Sequence, residues 1–318
     1  MSNPSSLVLP PYKGSIVRVS ALDDGRIALP AKFLIQPPMF GHDILDIPAF
    51  CFLGENDQAG KKVMFDLGIV KAWSTKIGPT RESVRGEEHC SCLFSSLSSI
   101  KAIIWSHHHI DHRGDPSLFP STTSLVVGPN FKSNPAIYPG YPNNPGSVTN
   151  QDAFNGREVI ELDFSDSQPT VGNLRAVDCF QDGFFYILEA SGHTHDHKMA
   201  LARTSEDKFL LLGADAAHHR GEFRPTPLIP LPDSITPTPF EHPNSISVCA
   251  GAAFEPIDRS SSSGAARTTP FYETSPIMMT DPNACQETLE ALKVFDASPD
   301  VLVIIAHDYT VLDFFELS

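Results

Sequence analysis

Short apolar runs bounded by glycine, proline or polar residues recur along the chain and predict β-strands. The first run, 14–21, alternates and contains β-branched residues, and the following Asp23-Asp-Gly-Arg26 has the composition of a turn. Run 301–305 is continuously apolar and run 100–105 is apolar apart from Lys101, which is typical of buried strands. The other predicted strands are 50–53, 62–68, 159–164, 174–179, 184–189 and 209–213.

Helical signals are few. Residues 284–295 carry apolar side chains at helical spacing, with Asp281 placed to cap the helix and Pro282 in its first turn. The predicted strands form one set before about residue 155 and a second set after it, and polar residues stand at several strand ends. This order predicts two packed sheets with helices outside and a site along one edge.

The least regular stretch is 225–282, which holds 11 of the 28 prolines and the run Ser260-Ser-Ser-Ser-Gly264. So many prolines exclude a continuous helix or a central strand. A loose surface insertion and a lid over a site are both compatible with this composition. We therefore predict a single domain over 1–318, with a Pro-rich insertion or lid at about 222–282.

Composition narrows the class of protein. The 318 residues are 41% hydrophobic, which is enough for a large core. The net charge of −15 argues against a nucleic acid or an anionic membrane as partner. The chain lacks an apolar run long enough to span a bilayer, and its N-terminus does not resemble a signal peptide. Six cysteines are sparse for this length and indicate reduced thiols in a cytoplasmic protein.

Histidines cluster, and the densest cluster contains the pattern H-x-H-x-D-H at 107–112. In an extended turn, residues two apart point the same way, so His107 and His109 can bind one ion. Asp111 and His112 then lie on the other side of the loop and can bind a second ion. Imidazole and carboxylate ligands suit zinc, with iron or manganese as alternatives.

Two ions need further ligands, and histidine or aspartate recurs at later strand ends. Gly192-His193-Thr194, Gly213-Ala-Asp215 and Ala306-His307-Asp308 each follow a predicted strand. One carboxylate, such as that of Asp215, can bridge two cations through both of its oxygens. The set then gives three histidines to one ion, an aspartate and two histidines to the other, and one shared aspartate.

In their order along the chain, these motifs resemble those of the metallo-β-lactamase superfamily. The match spans roughly 14–220 and 284–310 and comprises Phe65-Asp66-Leu67-Gly68, 107–112, 192–194, 213–215 and His307. The H-x-H-x-D-H form resembles the lactonase, glyoxalase II and ribonuclease Z side. The Pro-rich insertion and the C-terminal Ala306-His-Asp-Tyr309 resemble fungal members of the lactonase-like branch. The resemblance implies an α/β fold, an αββα sandwich of two mixed β-sheets flanked by helices.

The resemblance also implies a site for two Zn²⁺ ions. Carried over residue by residue, the ligands are His107, His109 and His193 for the first metal, Asp111, His112 and His307 for the second, and Asp215 as the bridge. His108 is predicted not to bind metal, and Asp66 is predicted to hydrogen-bond a ligand or its loop.

Two positions depart from the family pattern. Ser191-Gly-His-Thr-His-Asp-His197 replaces the usual Pro-Gly-His-Thr-x-Gly-His, and the sequence leaves His195 and His197 open between supporting and surface roles. Bacterial N-acyl homoserine lactonases carry a carbonyl-polarising tyrosine three residues after the bridging aspartate, where this chain has His218. An imidazole can donate the same hydrogen bond, so we predict that His218 contacts the substrate. The departure argues against acyl homoserine lactones as the substrate.

The implied activity is that of a binuclear zinc hydrolase (EC 3.1 or 3.5 type) acting on a small lactone or lactam. A metal-bridging hydroxide would attack the carbonyl, and Asp111 would accept or relay the proton. A thioesterase that releases an acyl or polyketide chain from a carrier protein or glutathione is the alternative. The scarcity of basic residues after position 225 argues against glutathione. The net charge disfavours a nuclease, and the complete ligand set disfavours a non-catalytic binder.

Overall fold

Two β-sheets packed face to face form the centre of the molecule. The structure is a computed structural model that describes residues 7–38, 41, 43–70, 84–85, 97–165, 170–236, 249–257 and 265–313. Each sheet contains both parallel and antiparallel pairs of strands. The two mixed sheets predicted from the sequence are therefore confirmed.

The first sheet is built from the N-terminal half of the chain. The N-terminal half contains the strands β1 (Arg18–Pro30), β2 (Ile35–Gln36), β3 (Ile44–Asn56), β4 (Lys61–Phe65), β5 (Val84–Arg85), β6 (Ile100–Ile104), β7 (Ser124–Val127) and β8 (Val159–Glu161), and all of these except β2 belong to the first sheet. The sheet has the order β5-β1-β3-β4-β6-β7-β8. Strands β4, β6, β7 and β8 are parallel, so their carboxyl ends meet at one edge.

The second sheet is built from the C-terminal half. The C-terminal half contains the strands β9 (Thr170–Val171), β10 (Leu174–Asp178), β11 (Phe185–Glu189), β12 (Lys198–Arg203), β13 (Phe209–Leu212), β14 (Ser234–Ile235), β15 (Cys249–Ala250), β16 (Glu273–Thr274) and β17 (Val301–Ile304), and all of these except β14, β15 and β16 belong to the second sheet. The sheet has the order β17-β13-β12-β11-β10-β9. Strands β11, β13 and β17 run in the same direction and also end at one edge.

Helix α2 (Pro282–Asp296) covers the outer face of the second sheet, and the short helix α1 (Ile110–Arg113) follows β6. As predicted, Asp281 caps α2. Its carboxylate accepts hydrogen bonds from the N–H groups of Asn283 at 3.0 Å and Ala284 at 3.1 Å. Leu292 and Phe295 of α2 are fully buried against the sheet. No helix in the described ranges is long and apolar enough to cross a membrane.

The main core lies between the sheets, where side chains alternate along each strand. Val63 and Phe65 of β4 point into it, whereas Met64 points to a separate outer cluster. Leu212 of β13 also points inward, and its neighbour Leu211 packs outward beneath α2. Both faces of these strands are buried, which is why continuous apolar runs mark them in the sequence.

Two features of the strands differ from the sequence prediction. The predicted turn at 23–26 is wrong, because these residues lie within β1 and form an irregularity where its register against β3 shifts. The N–H of Gly25 donates to the Asp23 carboxylate at 3.1 Å within this irregularity. Strands β7 and β12 were not predicted. Strand β12 begins with Lys198 and ends with Arg203, both buried, so only four apolar residues lie between these charged ends.

The described parts of the insertion at 222–282 form short 3₁₀ turns and the small strands β14, β15 and β16. Strand β16 pairs with β2, so the insertion is attached to the N-terminal part of the chain. Residues 237–248 and 258–264 lie outside the described residues. The single-domain organisation and the lid role stay predictions.

Replacing Leu292 of α2 by alanine should lower the free energy of unfolding by about 2–5 kcal/mol, because it leaves a cavity under the helix. Chemical denaturation followed by circular dichroism measures this. Glu287→Ala, on the exposed side of the same helix, should change the free energy by less than about 0.5 kcal/mol. Equal losses in the two variants would contradict the packing of α2 on the sheet.

Candidate metal centre

The seven predicted ligands come together at one edge of the sandwich. The carboxyl ends of β6, β11, β13 and β17 meet there, and helix α1 adds the remaining positions. The residues are His107 after β6, His109 at the N-cap of α1, Asp111 and His112 in α1, His193 after β11, Asp215 after β13 and His307 after β17. The two sheets thus bring together residues that are 200 positions apart, 107 to 307.

Three imidazoles and one carboxylate form the first group. Nε2 of His193 lies 3.2 Å from Nε2 of His107 and 2.9 Å from Nδ1 of His109. Oδ2 of Asp215 lies 3.7 Å from Nε2 of His107 and 3.4 Å from Nε2 of His193. The four ligand atoms lie within 4.8 Å of one another, and this donor set could hold one divalent cation.

Two imidazoles and two carboxylates form the second group. Oδ1 of Asp215 lies 3.2 Å from Nε2 of His112 and 3.2 Å from Nε2 of His307. Oδ2 of Asp111 lies 3.7 Å from Nε2 of His112 and 3.6 Å from Nε2 of His307. These atoms also lie within 4.8 Å of one another and could hold a second cation.

Asp215 is shared between the groups, and its two oxygens face different ones. Oδ2 faces the first group and Oδ1 faces the second. Burial opposes ionisation of this carboxyl, but the imidazoles of His112 and His307 outweigh it and hold the pKa of Asp215 well below its usual range. The carboxylate therefore has the charge and the orientation that a bridge between two cations requires.

The protonation and hydrogen bonding of the groups fit metal ions. Burial holds the pKa of His107 and of His193 well below the ordinary value, so both imidazoles are neutral and offer a lone pair. Nε2 of His112 and Oδ1 of Asp215 are buried without a hydrogen-bond partner among the described residues. Buried polar atoms of this kind are costly unless something binds them, and two cations would satisfy both.

Hydrogen bonds at Nδ1 orient two of the ligands. Nδ1 of His112 lies 2.8 Å from Oδ2 of Asp66, whose other oxygen accepts from the N–H of Ser106 at 2.6 Å. Nδ1 of His307 donates to the carbonyl of Pro48 at 2.7 Å. Each bond leaves Nε2 to face the centre, which is how a metal-binding imidazole is normally fixed. Asp66 thus makes the contact that the sequence predicts.

His197, whose role the sequence leaves open, supports the backbone of Asp215. Its Nδ1 donates to the carbonyl of Ala190 at 2.7 Å, and its Nε2 accepts from the N–H of Asp215 at 3.1 Å. Burial lowers the pKa of His197 to about 4, so Nε2 keeps the lone pair that this bond needs. His195, two residues earlier, is exposed.

The start of α2 fixes the loop that carries His193. The carbonyl of Gly192 accepts from the N–H of Thr280 at 2.9 Å, from the N–H of Asp281 at 3.0 Å and from the Thr280 hydroxyl at 3.1 Å. Gly192 has a φ of +132°, and a Cβ there would lie 2.2 Å from the backbone nitrogen of Cys285. Only glycine allows this close approach.

Sequence reasoning missed Lys198, which ties two site loops together. This buried lysine donates from Nζ to the carbonyls of Ser106 and Asp196, both at 3.4 Å, and burial lowers its pKa to about 8. The carboxylate of Asp196 in turn lies 2.8 Å from Nδ1 of His108, which directs that ring to Asp196. A lysine opening an apolar run beside the histidine motif was the available signal.

His218 is buried beside the first group. Its Nε2 lies 3.5 Å from Oδ2 of Asp215, and its ring is nearly parallel to that of His307, with centroids 6.1 Å apart. Neither ring nitrogen of His218 has a hydrogen-bond partner among the described residues. The adjacent His219 has a different role, because its Nδ1 accepts from the N–H of Gly221 at 2.8 Å and caps a 3₁₀ turn.

Curated fungal proteins are similar to this chain over most of its length. A gamma-lactamase of Fusarium pseudograminearum is 35% identical over 304 residues, covering 89% of this chain and 72% of that protein. A gamma-lactamase of Gibberella moniliformis is 43% identical over 206 residues, covering 60% and 84%. A metallo-hydrolase of Annulohypoxylon moriforme is 34% identical over 320 residues, covering 95% and 81%. No protein-family model matches the chain.

Solved structures show the same fold at low identity. An N-acyl homoserine lactone hydrolase with its product at the catalytic metal centre gives a TM-score of 0.60 at 13% identity, covering 94% of this chain and 96% of that one. A dizinc quorum-quenching lactonase gives 0.50 at 14%, covering 96% and 92%. By its relatives the protein is a metal-dependent hydrolase. It belongs to the lactonase-like branch of the metallo-β-lactamase superfamily.

Replacing Asp215 by alanine should abolish binding of both metal ions, because each group loses the carboxylate oxygen that faces it. Metal analysis of the purified variant, with circular dichroism to check folding, measures this. His195 is an exposed histidine in the loop that also carries His193, and its replacement by alanine should keep the wild-type metal content. Two ions retained by a folded Asp215→Ala protein would contradict the bridging assignment.

Proposed function

We propose that the protein is a binuclear zinc hydrolase that opens a small lactam or lactone ring. The convergence of two buried groups on the single carboxylate of Asp215 carries the proposal. When bound, two such cations supply Lewis acidity to a carbonyl oxygen and lower the pKa of water, as hydrolysis of a ring amide or ester requires.

A lactam is the preferred substrate class. Two of the curated relatives, at 35% and 43% identity, are gamma-lactamases, whereas the lactonase structures share the fold at 13–14% identity. A lactone is the second candidate, because its ring opening needs the same carbonyl chemistry. Both are rings that can be neutral, which avoids the repulsion that a polyanion would meet on a chain of charge −15.

Zinc is the proposed metal, with iron and manganese as alternatives. The support is the donor set, in which imidazoles predominate over carboxylates in the first group, a composition that suits zinc. One structural neighbour is itself a dizinc lactonase. Metal analysis of protein purified from its natural source distinguishes the three.

His218 is the proposed donor to the substrate carbonyl or leaving group. It is buried next to the first group, 3.5 Å from Oδ2 of Asp215, and its ring nitrogens have no partner among the described residues. A substrate atom could therefore take up its hydrogen-bonding capacity without breaking an existing bond. An imidazole N–H in this place would donate a hydrogen bond to the ring carbonyl, the role that the carbonyl-polarising tyrosine has in the bacterial lactonases.

Asp111 is the proposed proton acceptor. Its side chain is 14% exposed, whereas that of Asp215 is 2% exposed. A carboxylate at the open side of the centre can take a proton and exchange it with solvent, which a fully enclosed one cannot do easily. Its position 3.6 Å from Nε2 of His307 keeps it beside the second group.

The thioesterase alternative is not favoured. Beyond position 225, the described basic side chains other than histidine are Arg267, which pairs with Asp233 and Glu255, and Lys293, which pairs with Glu290. The carboxylates of glutathione would find no unpaired cation among them.

Chromatographic measurement of substrate loss and ring-opened product over a panel of lactams, lactones and thioesters, with and without a chelator, tests the proposal. We expect turnover on cyclic amides or esters that the chelator removes and added zinc restores. Turnover confined to thioesters, or ring opening that survives complete metal removal, would contradict it.

Replacing His218 by alanine should lower kcat by roughly 10²–10³, the usual loss when a donor to a developing oxyanion is removed. The metal content should stay at the wild-type value, because His218 is not one of the assigned ligands. His218→Gln, which keeps an N–H donor, should retain more activity than the alanine variant. An unchanged kcat in His218→Ala would remove this residue from the mechanism.

A further inference from the structure

Glu222 is a fully buried carboxylate next to the site that the proposed mechanism does not use. Oε1 of Glu222 accepts from the backbone N–H of His218 at 2.6 Å and from that of His219 at 2.7 Å. Oε2 accepts from the hydroxyl of Thr274 at 2.5 Å. The side chain therefore joins the turn that carries His218 to a residue of the Pro-rich insertion.

Glu222 closes the capping box of the 3₁₀ turn that follows His219 and is also buried beside the imidazole of His218. Burial raises the pKa of Glu222, which shows that the enclosure disfavours its charged form. Among the described residues, the imidazole of His218 is the ion-pairing partner of Glu222, with Nδ1 of His218 4.0 Å from Oε1 of Glu222. The ring of His218 thus lies between the carboxylate of Glu222 and that of Asp215, which is 3.5 Å from its Nε2.

Thr274 gives Glu222 a rigid support from elsewhere in the fold. Strand β16 places Thr274 opposite Ile35 of β2. The next residue, Ser275, donates from its N–H to the carbonyl of Leu34 at 3.1 Å and from its hydroxyl to that of Lys32 at 2.7 Å. The position of Glu222 is therefore set by the N-terminal part of the chain through the insertion.

We propose that Glu222, held by Thr274, is a positioning residue that fixes the imidazole of His218 over Asp215. The carboxylate anchors the two backbone N–H groups from which the ring projects, and the hydroxyl of Thr274 anchors the carboxylate. The insertion at 222–282 then contributes to catalysis through this contact. The inference rests on the proposed role of His218 in ring opening.

Steady-state kinetics of variants at both positions test the inference. Glu222→Ala should lower kcat at least about tenfold, because small displacements of a reacting group are costly, while KM and metal content stay near wild type. Glu222→Gln, whose amide oxygen can still accept from both N–H groups, should restore most of kcat. Thr274→Val should lower kcat by a smaller factor, and Thr274→Ser, which keeps the hydroxyl, should not.

The matched control is Thr268→Val. Thr268 also lies in the insertion and also donates its hydroxyl to a backbone carbonyl, that of Ala265 at 3.3 Å, and within the described ranges no hydrogen bond joins its side chain to the site. Its kcat should equal that of the wild type. A loss in Thr268→Val as large as that in Thr274→Val would overturn the inference, because it would reflect general loosening of the insertion.

A double-mutant cycle separates this inference from the proposed function. If Thr274 and Glu222 act through His218, Thr274→Val should have no further effect on kcat in a His218→Ala background. Full additivity of the two losses would overturn the inference and leave the function intact. An unchanged kcat in His218→Ala alone would instead overturn the proposed role of His218.

A crystal structure of metal-free Thr274→Val gives a readout without activity. We expect the separation of His218 Nε2 from Asp215 Oδ2 to exceed the 3.5 Å of the wild type, with the ligand groups otherwise in place. An unmoved His218 ring in that structure would overturn the positioning role.

Discussion

The site depends on one buried carboxylate that faces two groups of imidazoles. Each oxygen of Asp215 lies 3.2–3.7 Å from ring nitrogens of a different group, so neither group is complete without it. In the first group, burial holds the pKa of His107 and of His193 well below the ordinary value, so these neighbouring rings offer one another lone pairs and few N–H donors. Burying these polar groups without partners raises the free energy of the folded protein. Two bound cations would satisfy the groups, and their binding would stabilise the fold.

The fold meets this requirement by directing strand ends to one edge. Strands β6, β11, β13 and β17 deliver their carboxyl ends there, and the loops that follow are then held by buried polar residues. Asp66 orients His112, His197 holds the backbone of Asp215, and Lys198 joins the loops of the two sheets. These supports are buried and are hydrogen-bonded within the protein.

The sequence indicated the side chains that the structure groups together better than it indicated their supports, for a physical reason. The H-x-H-x-D-H spacing and the strand-ending His193 and Asp215 are local signals, because chemistry limits which residues can bind a cation. The supports are contacts across the fold: Glu222 with Thr274 are 52 positions apart, and Lys198 with Ser106 are 92 apart. Likewise, the local composition of 23–26 indicates a turn, but pairing with β3 keeps this segment within the strand. Long-range contacts of this kind produce no periodic pattern of residues in the sequence.

We expect one chain to need two metal ions to open a ring. Metal-depleted protein titrated with zinc, with bound metal and the rate of ring opening recorded in the same samples, tests it most directly. The rate should rise to a plateau that is reached at two ions per chain. A full rate at one ion per chain, or in protein with no metal, would contradict it.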